Sequence, residues 1–561
     1  MKLDLLRTPF STYGSNFSIM QEGEDGPLII RLLWNWLGKE KLLALSFLHE
    51  GKPVPVRIDA EPHRLRILSN GGGQARLVLQ GDDALAIECS GLDLRLRLCD
   101  EQAGYGYRES DRCFKLMSSL TGLYAKLDVV DGAPQAQLPV SAKDWFGRVP
   151  TEVIVHRVDG HARVYLECSL WDLKPGAPPL DLDSSEAATE CLWEQFLKKM
   201  PPAPESRRVF CEQAWYVLWA SFVRAGGHFK TDACLVSKTG MGAVFSWDHC
   251  FSAMALAGGD LPLALDQFML PFTLQAPTGQ LPDRVTARDM SWLWVKPPIH
   301  GWSLDHIMKS QMPDSQLLPS IYAALEKWTN WWCDFRDVDN DGVPNYIFGC
   351  DVADNATIFA EESFLLESPD LSACLVLQMH SLAGLSQTLG DANLAAEWRN
   401  RAGVLLQKLE EHLWEGERFV VRVSGSHQYQ NPCTSLVPFR VLILGELLER
   451  KKFEATVALL EKEHLGPHGL SSEAMESPLY EEDGYWRGSI WAPEVYIIAD
   501  GLRRGGRQDL AQEIAGRFCA AVEASGFYEC FNAKTGEGQR AAGLTWTASV
   551  YLLLVRDFLS N

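Results

Sequence analysis

The chain has 561 residues, 46% of them hydrophobic, and a mean hydropathy of −0.10, values that fit about two domains with large soluble cores. Its net charge of −21 repels polyanions and excludes nucleic acid and anionic membranes as partners. No apolar run is long enough to span a bilayer, Asp4 and Arg7 break any secretory h-region, and fourteen cysteines without a C-x-x-C pair point to reduced thiols in the cytoplasm.

Residues 1–172 read as strands. LIIRLLWNWL, VPVRIDA, RLRIL, ARLVLQ, ALAIEC, LDLRLRLC and VIVHRV are short β-favouring runs, several alternating with period two. SNGGGQ and QGDD separate them as turns, so GGG at 71–73 is a hairpin turn and not a phosphate cradle. This spacing predicts an antiparallel β-sandwich. DLKPGAPPLDLDSS and PPAP flank a short helix at 185–199, which makes 173–205 a linker.

From residue 206 to 561 the period becomes helical. Twelve helices are predicted, at 206–224, 247–258, 262–275, 298–310, 314–335, 370–389, 391–413, 434–449, 452–463, 488–503, 507–525 and 543–559, with Ser246 as a candidate cap for the second. Short connections alternate with long ones at 225–246, 276–297, 336–369, 414–433, 464–487 and 526–542. Short links make antiparallel neighbours, and six such pairs put every long loop at one end of a closed double ring, an (α/α)6 barrel.

The loops carry aromatic and charged residues together, the mixture a sugar pocket needs: ring faces stack on pyranose carbons while charged groups take hydroxyls. Trp247, Trp486 and Trp491, beside charges at loop–helix junctions, read as pocket residues. Trp215, Trp331, Trp332 and Trp398, on helical faces, read as core. RDVDNDGVPNY (336–346) contains D-x-D-x-D-G, half of an EF-hand-like loop, but Phe348 occupies the twelfth position where an EF-hand has Glu. The same residues form ordinary turns.

Over residues 206–561 the motifs resemble glycoside hydrolase family 63 and, more distantly, the family 37 trehalases. FSWDHCFSAMAL is similar to the family's W-D-x-x-F segment, LPD with KPPIHGW to I-P-N and Q-P-P, and VADNATIF to G-x-D-N-S. YWRGSIW is similar to Y-W-R-G-P-I-W, and YECFNAKTGEG with LTWTASV to E-x-Y/F-N-x-x-T-G-E and S-W-T-A. The resemblance places Asp354 as general acid and Glu529 as general base. It places Trp247, Asp248, Lys296, Trp486, Arg487 and Trp491 against the sugar. Ser489 stands where the family has Pro, Val495 where Asn is common, and E-S-G is missing before Asp354; these departures bear on substrate more than on reaction type. Similar loops in relatives hold a structural calcium completed by a distant acid, which implies Asp337, Asp339 and Asp341 as ligands. The reaction itself requires no cofactor.

The implied activity is inverting, exo-acting hydrolysis of a short α-glucoside or glucosyl conjugate, a small carbohydrate. One carboxyl protonates the leaving oxygen while the other activates water. A loop aspartate walled by aromatic rings loses hydration and keeps its proton; a solvated glutamate stays ionised. Asp351 is the neighbouring candidate acid and Glu537 the alternative base. Two other readings stand beside this one: an inverting phosphorylase of similar architecture, and a non-catalytic sugar-binding protein. The sequence leaves the oligomeric state open.

Overall fold

The computed structural model describes every residue except 34–39, 82, 100–103, 119–121, 139–149, 170–180, 360–364, 431–432 and 561, and the backbone alone at 123, 124 and 169. The end of the predicted strand LIIRLLWNWL and residues 173–180 of the predicted linker lie outside the described residues. Contacts divide the chain into two compact units. One comprises Met1–Lys199, Trp215–Ala243 and Thr286–Arg288. The other comprises Met200–Ala214, Val244–Val285 and Asp289–Asn561.

The first unit is built on two antiparallel sheets. In one, the strand order is Phe17–Gln21, Leu28–Leu32, Lys41–His49, Asp93–Leu98, Glu152–His156, Ala133–Gln137, with Lys52–Pro53 also paired to Lys41–His49. In the other it is Gly104–Ser110, Cys113–Ser118, Leu123–Asp131, His161–Ser169, Ala84–Ser90, Gln74–Gln80, Arg64–Ser69, Val56–Glu61. Alternation explains the burial. Leu94, Leu96 and Leu98 point inward along DLRLRL, and Val155 and Val153 stand opposite Leu94 and Leu96 on the neighbouring strand. One apolar core takes Leu45, Leu96 and Val153 from the first sheet and Leu77, Ile87 and Val164 from the second, which makes the pair a sandwich. Gly72, at φ +83°, turns the chain between Arg64–Ser69 and Gln74–Gln80. Helix α1, Leu182–Leu197, follows, with Asp181 accepting from the Ser184 N–H as its cap.

Helix α2, Arg208–Ser221, contains the division between the units. The helical unit then continues through α3 (Asp248–Leu256), α4 (Leu261–Met269), α5 (His300–Ser310), α6 (Leu318–Phe335), α7 (Pro369–Thr388) and α8 (Ala392–His412). A 3₁₀ segment, Val437–Leu447, precedes α9 (Arg450–Glu463), α10 (Ala492–Arg504), α11 (Gln508–Ser525) and α12 (Thr545–Phe558). Burial sorts these elements into two rings. Every residue of α3 is buried, as is Ala492–Leu502 in α10. By contrast α8 buries only the stripe Ala395, Trp398, Ala402, Leu405 and Leu409, the spacing of a helix with one wet face. The inner elements α3, α5, α7, Val437–Leu447, α10 and α12 touch in that order, and α12 returns to α3, closing the ring. Each inner element follows a long connection and each of α4, α6, α8, α9 and α11 a short one, so the long loops gather at the inner N-termini.

Two local expectations are corrected. The segment expected as an α-helix at 434–449 is 3₁₀ over Val437–Leu447 and breaks at Gly445, φ +57°. Its backbone lies so close to α10 that a Cβ on Gly445 would sit 2.7 Å from that of Arg504, whose guanidinium donates to the Ile443 carbonyl. The N-cap of α3 is Trp247 rather than Ser246, because the Ser246 hydroxyl turns to the Asp283 carbonyl, 3.4 Å away.

Candidate active site

The inner N-termini bring the predicted residues into one electrostatic neighbourhood. Asp248 opens α3, Trp491 directly precedes α10, and Trp546 is the second residue of α12. Glu529 sits on the strand Tyr528–Phe531, paired with Gly538–Ala542. It is only 8% exposed. The Tyr485 hydroxyl donates to its Oε1 at 2.8 Å, and the Ala541 N–H reaches Oε2 at 3.5 Å. Burial pushes the Glu529 carboxyl above its usual range; the Tyr485 and Ala541 donors oppose that rise, and the nearby charge of Asp354 adds to it. Tyr485 and Arg540 both adopt left-handed backbone conformations, at φ +64° and +68°, which side-chain-bearing residues rarely take. Arg540 lies 5.9 Å from the Tyr485 ring and pairs with Asp483 at 2.8 Å.

Asp354 stands exposed on the turn between Gly349–Asp351 and Thr357–Phe359. Asn355 fixes this turn: its Nδ2 donates to Gly484 O at 3.0 Å, and its Oδ1 accepts from Trp486 N at 3.0 Å. Arg487 adds an Nε bond to Asn355 O, also at 3.0 Å, and pairs with Glu481. A Cβ on Gly349 would lie 2.1 Å from the Asp354 carbonyl oxygen, so only glycine permits this tight path. The alternative acid, Asp351, is fully buried and occupied: it takes Val295 N–H at 2.9 Å, Ile347 N–H at 2.9 Å and Arg336 at 3.0 Å. Glu537, the alternative base, is exposed at the hairpin turn beyond Glu529.

Lys296 donates to Cys350 O and pairs with Asp283 at 3.3 Å. Burial works against its charge, but Asp283, Asp354 and Asp248 outweigh burial and hold the ammonium above its ordinary range. Asp248 is buried and pushed up to about 7, mainly by desolvation, against the pull of Lys296. These environments reverse the expectation for the two candidate carboxyls. The glutamate is the desolvated one and the aspartate the exposed one, because Glu529 lies on a strand under Tyr485 whereas Asp354 sits at a turn apex.

Tryptophans form the wall. Trp486 stacks on Trp491 at 4.0 Å and 3°, and Trp546 stands edge-on to both Trp491 (5.6 Å) and Trp247 (6.3 Å). Trp491 is wholly buried and backs Trp486. Arg440 lies over the rings of Trp247 and Trp486, at 5.4 and 5.9 Å, and is anchored by Glu494 and Asp370. Sequence reasoning did not single out Tyr485, Asn355 or Arg440. The first two lie inside quoted motifs. Arg440 is the one charge in the apolar run SLVPFRVLILG, a sign of a buried, paired cation.

The carboxylates of Asp337, Asp339 and Asp341 form a separate cluster with oxygens within 4.8 Å of one another. Gly342 N–H binds Asp337 Oδ2 at 3.0 Å, while the buried Asp337 Oδ1 has no hydrogen-bond partner. An orphaned carboxylate oxygen beside two further carboxylates fits a hard cation such as calcium.

A closed double ring with carboxyls and stacked indoles at its loop face is the build of (α/α)6-barrel glycoside hydrolases. Residues 243–547, more than half of the chain, match the model for the mannosylglycerate hydrolase MGH1-like glycoside hydrolase domain, and the chain belongs to that family, within glycoside hydrolase family 63. A mannosylglycerate hydrolase from Rubrobacter radiotolerans is 30% identical over 217 residues, 36% of this chain and 47% of that protein. A second, from Thermus thermophilus, is 34% identical over 80 residues, 14% of this chain and 19% of its own length. The chain thus spans about half, or less, of these relatives. In fold it is similar to a mannosylglycerate hydrolase from another strain of Thermus thermophilus, solved with glucose (TM-score 0.53, 18% identity, 61% of this chain and 99% of that one). It is also similar to a bacterial glucoamylase complexed with acarbose (TM-score 0.65, 11% identity, 100% of this chain and 95% of that one). No helix among the described residues is long and apolar enough to cross a membrane.

Proposed function

We propose that the protein is an inverting, exo-acting glycosidase that cleaves a short α-glucoside or glucosyl conjugate, with Asp354 as general acid and Glu529 as general base. The supporting observation is the hold on Glu529: a buried carboxylate, fixed by the Tyr485 hydroxyl and feeling the charge of Asp354 on another loop. A carboxylate raised by burial is a stronger base once ionised. In the reaction, Asp354 gives its proton to the glycosidic oxygen as the bond to the anomeric carbon breaks. Glu529 takes a proton from the water that attacks the opposite face, and the anomer inverts. Such a pair needs about 6.5–9.5 Å between carboxyls to admit that water. A sugar seated over Asp354 withdraws the carboxyl from solvent, the condition under which an acid keeps its proton. Trp486 and Trp247 offer ring edges and faces to the sugar carbons, while Asp248, Lys296 and Arg487 take its hydroxyls.

The names of the relatives add mannosylglycerate to the substrate panel. Fourteen free cysteines fit a reducing compartment such as the cytoplasm. Calcium held by Asp337, Asp339 and Asp341 would brace the loop ahead of Asp354 and take no part in bond cleavage.

The test is a panel of nitrophenyl glycosides, disaccharides and glycosylglycerates, with product anomers followed by NMR. Glu529→Gln is expected to abolish turnover while retaining sugar binding. Wild-type hydrolysis by that variant removes Glu529 from the mechanism. Strict dependence on phosphate identifies a phosphorylase, and sugar binding without turnover by the wild type identifies a binding protein.

A further inference from the structure

Beside the D-x-D-x-D-G loop lies a second donor set that sequence spacing conceals. Glu367 lies on the short strand Leu366–Glu367, His412 ends α8, and His427 follows the strand Arg422–Val423. With Asp341 they bring four ligand atoms within 4.8 Å of one another. His427 Nδ1 is 3.6 Å from Glu367 Oε2 and 4.0 Å from Asp341 Oδ2. His412 Nε2 is 2.6 Å from Glu367 Oε2 and 3.9 Å from Asp341 Oδ2. The two imidazoles meet at 4.8 Å, nearly perpendicular.

Three features separate this cluster from a solvated ion pair. First, Glu367 is wholly buried and its Oε1 has no hydrogen-bond partner; neither has His427 Nδ1. A fold rarely leaves such atoms unsatisfied unless something else occupies them. Second, His427 is held at φ +52°, a left-handed conformation that a residue with a Cβ adopts at a cost. Third, the histidine backbones are fixed by one side chain. Arg422 donates through Nε to His412 O at 2.7 Å and through Nη1 to His427 O at 2.8 Å, and its own strand position pairs with Glu367. Asp341 spends Oδ1 on the Val343 N–H, which leaves Oδ2 facing the histidines, so at Asp341 this site and a calcium held with Asp337 and Asp339 are alternatives.

We propose that Asp341, Glu367, His412 and His427 bind a divalent transition ion of the zinc class. Calcium takes oxygen donors and is poorly served by imidazole, whereas two imidazoles with two carboxylates suit zinc and balance its charge. Four protein donors make a closed, structural site. A tetrahedral ion with bonds of about 2.0–2.2 Å needs its donors about 3.3–3.6 Å apart. Of the six donor pairs, three of the four imidazole–carboxylate pairs lie at 3.6–4.0 Å and the other, His412–Glu367, is too close and has to open. The imidazole–imidazole and carboxylate–carboxylate pairs lie within 4.8 Å, so the shell closes around the ion. Lys408, the nearby cation, is engaged with the Asp341 carbonyl. The ion would join Asp341 to Glu367, the two ends of the segment that carries Asp354.

The full chain, stripped with a chelator, is titrated with zinc and separately with calcium by calorimetry, with melting temperature and the visible spectrum of the cobalt(II) form as further readouts. The expected result is one equivalent of zinc, a higher melting temperature, and visible cobalt bands typical of mixed nitrogen–oxygen coordination. His427→Ala and Glu367→Gln should each weaken zinc binding at least tenfold, while Asp337→Asn leaves it unchanged. No zinc binding, equal zinc binding by His427→Ala, or binding of calcium alone overturns the proposal. If Glu367→Gln does not fold, His427→Ala, at a partly exposed position, decides the matter.

Discussion

Tyr485→Phe is the most direct probe of the base. The substitution removes one hydroxyl and leaves the ring, which packs edge-on against Trp491 at 4.7 Å. What is lost is the 2.8 Å bond to Glu529 Oε1. A hydrogen bond to an ionised group contributes about 1.5–3 kcal/mol, and each pKa unit corresponds to about 1.36 kcal/mol, so the Glu529 carboxyl should rise by a further 1–2 units or so. The sign follows from the role: the base works only when ionised, and the Tyr485 donor favours the ionised form. Burial raises the Glu529 carboxyl above its ordinary range, so with Glu529 as the proposed base the wild-type acidic limb of kcat/KM is expected higher than an exposed glutamate would put it. In the variant that limb should move to higher pH by about 1–2 units, with the rate recovering on the alkaline side of the limb. The assay is the pH dependence of kcat/KM on the best glycoside of the panel. An unmoved limb, or one displaced downward, refutes the assignment of Tyr485 to the base.

Asp248→Asn tests the buried carboxyl at the start of α3. Its folded value of about 7 exceeds the ordinary 3.8, so the folded state holds the proton more tightly and ionisation removes stability as pH rises through that window. The stability of wild type relative to the variant should fall by up to about 4 kcal/mol between pH 4 and 8, read from denaturation midpoints; a flat difference contradicts it. Asn355→Ala cuts both bonds that clip the Asp354 turn to Gly484 and Trp486, and should lower kcat/KM by about 10–100-fold with little loss of melting temperature; unchanged kinetics would show that the turn holds itself. Gly501→Ala places a Cβ 2.0 Å from the Leu442 carbonyl oxygen, a backbone atom with nowhere to rotate, and should destabilise the barrel by about 1–3 kcal/mol or more. An unchanged melting temperature would mean that Val437–Leu447 can withdraw from α10.

The barrel was legible because its two signals are local. Helical periodicity and the alternation of long and short links place α3 to α12 within a few residues of their observed ends, except that α4 stops at Met269 where 275 was expected, all without any knowledge of contacts. Gly505 closes α10 and Gly390 follows α7 at φ +88°, the local chemistry of a helix end. The site was legible only as a set of motifs. Which carboxyl is desolvated depends on what covers it, and nothing adjacent to Glu529 in sequence announces Tyr485, 44 residues away. The Ser246 cap failed because Asp283, 37 residues on, offers its hydroxyl a competing acceptor. His412 and His427 escaped notice because their partner Glu367 is 45 residues from the nearer of them, a separation no metal-ligand spacing covers.

The parallel stack of Trp486 on Trp491 gives the protein an optical reporter of its own. Two indoles 4.0 Å apart and 3° from parallel share their excited states, so their near-ultraviolet circular dichroism is a joint signal sensitive to small sliding of either ring. A sugar bound as proposed would meet the pair at Trp486, since Trp491 is wholly buried behind it. Binding at the proposed site is therefore open to measurement in dilute, unlabelled protein, for compounds that are never turned over as well as for those that are.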